Sequence, residues 1–127
     1  MNSSSIKTYY KDIDEWPNRW EIEKQDIECG KKIIDSVFIP FIEFIIKKGF
    51  AKKTVKKHID NLWLLGGEII ESVNNDEDIR RLEPELLIHE FIDDQGGPYS
   101  SHINTESEMR SFDSTCKKLY KFLKSEN

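Results

Sequence analysis

Between Val55 and Val73, apolar or small residues recur at alternating steps of four and three: Val55, Ile59, Leu62, Gly66, Ile69 and Val73. That spacing is one packed face of an α-helix. A strand, whose faces alternate every second residue, has no use for it. Trp63, Leu64, Leu65 and Ile70 widen the stripe until the middle of the segment is apolar nearly all round. A helix over about Lys52 to Val73 is therefore expected at the centre of the fold, covered on most sides. Gly66 and Gly67 each cost a helix about 0.5–1 kcal/mol relative to alanine, so they predict the close approach of a neighbouring helix.

Other segments repeat the pattern. Met109, Phe112, Cys116, Leu119 and Leu123 make a second seam, opened by Thr105 with Glu108 as a capping box and carrying Lys117, Lys118 and Lys121 on its later turns. Ile27, Ile33, Ile34, Val37, Phe38, Phe41, Ile42 and Ile45 make a third, in which Pro40 predicts a kink or break near Val37–Ile39. It ends on Lys47, Lys48 and Gly49, with Phe50 placed to close back on Ile45. After a polar turn and a short turn of helix, Pro84 opens another helix to about Ile92, and "DDQGGPYSSHIN" follows as a loop. Residues 1–12 read as a flexible N-terminal arm. In "DEWPNRW", Pro17 in a first helical turn puts Trp16 and Trp20 on one face, as aromatics docked on the helical body or as a ligand-binding pair. The expected fold is all-α: a compact bundle of four or five helices in a single domain, 13–127.

Charge narrows the function. The net charge of −5 opposes generic polyanion binding. Six lysines and no acid fall between Lys47 and Lys57, however, which leaves 13 basic against 24 acidic residues elsewhere. Lys52, Lys53, Lys56 and Lys57 sit in the first turns of their helix, at its positive pole, where each cation is unfavourable by about 0.3–1 kcal/mol. Ala51 also stands where a capping oxygen is expected. Broken local rules of this kind mark a phosphate-binding helix start, or lysines that pair with the acidic remainder. Cys29 and Cys116 lie in apolar helical patterns and read as reduced core thiols. With no apolar leader and no stretch of ~18–20 apolar residues, the chain reads as cytoplasmic, with no membrane partner.

No catalytic constellation emerges. "HEFID" lacks the second histidine of a zinc helix, because Asp93 stands four residues after His89. His58 lies among lysines that favour its neutral form, and His102 lies in the loop. Cys116 is on an apolar seam, and no glycine-flanked serine elbow or phosphate-cradling loop occurs. The chain is read as non-enzymatic, without cofactor or metal.

The words "FIEFIIKKGFAKKTVKKHIDNL", Phe41 to Leu62, resemble the SAM-like core-binding segment of tyrosine recombinases. There a helix ends in glycine and the next tracks the DNA backbone. The resemblance implies backbone contact, with Thr54 and Lys57 at the polar and basic positions. It does not imply strand cleavage, since the recombinase catalytic domain has no room here. "TVKKHIDNLWLLGGEII", "DQGGPY" and "SFDSTCKKLYKFL" resemble a family of small uncharacterised bacterial proteins, which implies a helical fold and a bacterial cytosol but no activity.

Two functional readings follow. The first is a protein-interaction or accessory module, with Trp16, Trp20 and the Gly96–Tyr99 loop facing an unknown protein partner. The second is a nucleic-acid-binding module using Lys48, Lys52, Lys53, Thr54, Lys56 and Lys57. The seams can be satisfied within one bundle, so neither reading requires a dimer.

Overall fold

The computed structural model describes residues 12–125; the arm expected over 1–12 lies outside them except for Asp12. The fold is all-α. A 3-10 turn, Ile13–Glu15, leads into α1 (Trp16–Trp20). Then come α2 (Gln25–Ile33), a π-turn (Ile34–Phe38) and α3 (Ile39–Lys47), followed by α4 (Lys52–Asn75), α5 (Glu77–Arg80), α6 (Pro84–His89) and α7 (Glu106–Ser125). Taking α2 to α3 as one rod gives six helices among the described residues, against the four or five expected. None of them is long and apolar enough to cross a membrane among the described residues.

Pro40 does not break its helix. The Ile39 amide donates to Ile34 O, five residues back, so the chain passes through a π-turn and Pro40 falls in the first turn of α3, where no amide donor is needed. Gly49, at a φ of 86°, then reverses the chain into α4. Asn74, near the end of α4, reaches back to Asp26 on α2, so the rod and α4 form an antiparallel pair. α7 starts with the expected box: the Glu108 amide donates to Thr105 Oγ1 (3.0 Å) and the Thr105 amide to Glu108 Oε1 (3.2 Å). It also runs antiparallel to α4, since His58 meets Thr115 while Asn61 meets Ser111.

The seams become the core. Val55, Ile59, Leu62, Leu65, Ile69, Ile70 and Val73 are fully buried, as are Phe112, Cys116 and Leu119 on α7. α4 touches α1, α2, α3 and α7, the central position its apolar girth demands. The neighbouring helix that crowds Gly66 is α1, through the indole of Trp20. A Cβ on Gly66 would lie 2.2 Å from Trp20 Cη2 and Cζ2. α1 acts as an aromatic plug: Trp20 stacks on Trp63 (5.6 Å, 27°), meets Phe38 edge-on, and donates from Nε1 to Trp63 O at 3.2 Å.

At the far end of the bundle lies a group that helical periodicity does not reveal. Asp26 is fully buried and accepts the amides of Ile22 (3.0 Å) and Glu23 (2.7 Å). Arg80 Nη2 sits 3.3 Å from its carboxylate and also donates to Val73 O. This pair ties the start of α2 to the end of α4 and to α5.

Candidate nucleic-acid interface

The turn between α3 and α4 presents Lys48, Phe50, Lys52 and Lys53 to solvent, with Lys56 and Lys57 one turn on and Thr54 half-buried. Ala51 supplies no side-chain cap. The amides of the first turn of α4 therefore add their partial positive charge to that of the lysines. The structure adds a second source of cations. Phe41 and Phe44 pack on Phe122 of α7, at 5.7 and 5.0 Å between ring centroids. That contact lays the last turns of α7 alongside the α3–α4 turn. Lys118 reaches Phe50, its Nζ 5.4 Å from the ring centroid, and Lys121 lines the same groove as Lys48 and Phe50. Lys117 and Lys118 are exposed beside them.

Lys52 aside, the pairing of these lysines with the acidic remainder is not seen at contact range. Among the described residues, Lys48, Lys53, Lys56, Lys57, Lys117, Lys118 and Lys121 have no carboxylate within ion-pairing distance. Acids do stand nearby. Asp60 is close enough to Lys56 for the ammonium to hold down a carboxyl pKa that burial raises. Asp94 and Asp113 border the outer side of α7, and Asp113 accepts the Gly97 amide at 3.1 Å.

Beneath this face lies a buried polar network that sets its geometry. His58, 1% exposed, faces Thr115 Oγ1 through Nδ1 at 2.6 Å. Asn61 Nδ2 donates to Thr115 Oγ1 (2.8 Å) and to Ser111 O (3.1 Å). His58 Nε2 is buried without a hydrogen-bond partner, and the centroids of the His58 and Phe50 rings lie 6.4 Å apart. Burial, then Lys57, then Lys118 lower the imidazole pKa from 6.5 to about 4, so His58 is neutral at physiological pH, as the sequence suggests. Phe50, expected to close on Ile45, shares a groove with it and also leans toward His58.

The remaining sequence candidates separate from this face. Trp16 and Trp20 are 0% and 7% exposed, aromatics docked on the helical body and not a partner-facing pair: Trp20 fills the space over Gly66, and Trp16 packs against Trp20 and Trp63. Of that group only Tyr99, at 77% exposure, faces solvent. Cys29 and Cys116 are free and buried, and burial raises both thiols, Cys116 to about 12. His89 packs edge-on against Tyr120. Among the described residues, no group of three His, Cys, Asp or Glu side chains is arranged to hold a metal ion.

A cleft of about 470 Å³ between α2 and the α5–α6 segment is lined by Lys32 and Arg81 together with Glu28 and Glu83. The signs are mixed, and Arg80 at its wall is already committed to Asp26 and Val73 O. Sequence reasoning missed both the Asp26–Arg80 pair and the convergence of α7 on the basic turn. The lysines of α7 are visible in the sequence, but their neighbours are not.

Comparison of the chain with protein-family profiles, curated proteins and solved structures finds no match. The likeness of Phe41–Leu62 to recombinase core-binding segments therefore rests on the sequence pattern alone.

Proposed function

We propose that the protein binds nucleic acid through the phosphate backbone, on the face formed by the α3–α4 turn, the start of α4 and the last turns of α7. The observation that carries this reading is the convergence of Lys48, Lys118 and Lys121 around Phe50, with no carboxylate at ion-pairing distance from them among the described residues. Like charges held together repel, and here the positive end of α4 adds to the repulsion. A polyanion relieves it and releases its own counterions in doing so. The net negative charge of the rest of the chain confines the attraction to this face.

Binding of a fluorescent oligonucleotide, followed by anisotropy, tests the reading. Contacts to about three phosphates give a log–log salt slope near −2.7 on duplex DNA. Changing Lys53, Lys56 and Lys57 together to glutamate is expected to abolish binding while the helical circular dichroism is retained. Reversing Lys31 and Lys32, which lie away on α2, is expected to leave binding in place. Absence of binding at about 50 mM salt, or binding indifferent to the triple reversal, refutes the proposal.

A further inference from the structure

Resting on that reading, we infer that the preferred ligand is single-stranded, with an unstacked base seated in the groove between Phe44, Phe50 and Phe122. The groove, about 410 Å³, opens in the middle of the basic face. Its floor is aromatic and its rim is Lys48, Lys118 and Lys121. Phe122 is 7% exposed and braced by Phe41 and Phe44, so the floor is rigid. Phe50 is 37% exposed at the edge of the groove.

Each accessible ring carries an ammonium. Lys48 Nζ lies 5.3 Å from the Phe44 centroid, and Lys118 Nζ lies 5.4 Å from that of Phe50. An exposed cation–π contact is weak, so a phosphate arriving at the rim draws the ammonium off the ring and frees its face. A base stacked there then replaces the contact with a stronger one. In a duplex the base faces are occupied by their own neighbours, and only the phosphates reach this site. The alternative occupant of a lysine-and-phenylalanine surface is an anionic membrane. That requires several protruding apolar side chains, whereas of the three rings only Phe50 is exposed and Phe44 and Phe122 are recessed.

The test compares four probes on the intact protein at about 50 mM salt: an oligothymidine strand of about 12 nucleotides, a duplex of equal length, a sugar–phosphate strand of equal length lacking bases, and phosphatidylserine vesicles. The single strand is expected to bind about 5- to 150-fold more tightly than the abasic strand, the range of one base–aromatic stack. Phe50→Ala is expected to erase that margin while duplex binding and its salt slope stay unchanged, and Phe50→Trp to preserve the margin. Equal binding of the single and abasic strands, or a margin that survives Phe50→Ala, overturns the single-strand inference and leaves phosphate binding standing. Failure of every oligonucleotide to bind, with or without vesicle binding, overturns both.

Discussion

Gly66 and Gly67 are adjacent in sequence and in the same helix, yet replacing each with alanine is expected to have opposite effects. Helix propensity alone makes both changes stabilising, by about 0.8–1 kcal/mol. At Gly67 nothing opposes the gain: the new Cβ would lie 3.6 Å from Trp20 Cδ1, an ordinary contact. At Gly66 the Cβ would lie 2.2 Å from two carbons of the same indole and 2.9 Å from a third. Carbon atoms pack at about 3.5–4.0 Å, so the ring must retreat by more than 1 Å. It has no room to do so, because Trp63 stacks on it, Phe38 and Trp16 abut it, and its Nε1 is bonded to Trp63 O. Overpacking of this kind costs about 1–3 kcal/mol, which outweighs the propensity gain. With an overlap of more than 1 Å the cost falls in the upper part of that range, so Gly66→Ala should destabilise the fold by about 1–2 kcal/mol net, a fall in Tm of roughly 4–10 °C, while Gly67→Ala raises stability by about 0.5–1 kcal/mol. Urea denaturation followed by tryptophan fluorescence reads both. A Trp20→Ala background supplies the decisive control: with the indole gone, Gly66→Ala should become stabilising. If Gly66→Ala in the native background matches or exceeds the wild type in stability, the account of α1 as a plug over Gly66 is wrong.

Asp26→Ala leaves Arg80 without this carboxylate and is expected to cost about 3–5 kcal/mol; adding Arg80→Met recovers only the part due to the guanidinium, since the Ile22 and Glu23 amides still lack their acceptor. An Asp26→Ala protein that melts with the wild type refutes a structural role for the pair. His58 makes stability depend on pH. Its pKa of about 4 in the folded chain is below the 6.5 of the free group, so between these values the unfolded chain binds more protons. Stability is then full above about pH 6.5 and declines by up to about 3 kcal/mol as the pH falls toward 4. In urea melts at several pH values, His58→Asn should lose this part of the slope and keep only that of the carboxylates; an unchanged slope refutes the assignment.

How much of this was legible beforehand follows from the range of each interaction. The capping box at Thr105, the glycine stop at Gly49 and the proline starts at Pro17 and Pro84 are satisfied within a turn or two of chain, so a local sequence pattern suffices to predict them. Pro40 shows the boundary of that reasoning. Its missing amide and ring clash are local facts, but that the chain absorbs them in a π-turn, with Phe38 and Phe41 buried on either side, is seen only in the folded structure. The glycines of α4 announced a close neighbour without naming it, because an absent side chain records a shape and not the identity of what fills it.

The sequence by itself determined the all-helical class, the central place of α4 and the buried face of α7, since each follows from where apolar residues fall on a 3.6-residue period. It also determined that Lys48 to Lys57 form an uncapped cationic helix start. Only the tertiary structure decided that Trp16 and Trp20 are core, that Asp26 pairs with Arg80, and that α7 delivers Lys118 and Lys121 to the same face. The physical reason is common to all three. Periodicity reports which side of a helix avoids water, whereas the partner on that side is chosen by how separate helices pack, across sequence distances of 43 to 57 residues in the contacts of Trp20 with Trp63 and of His58 with Thr115.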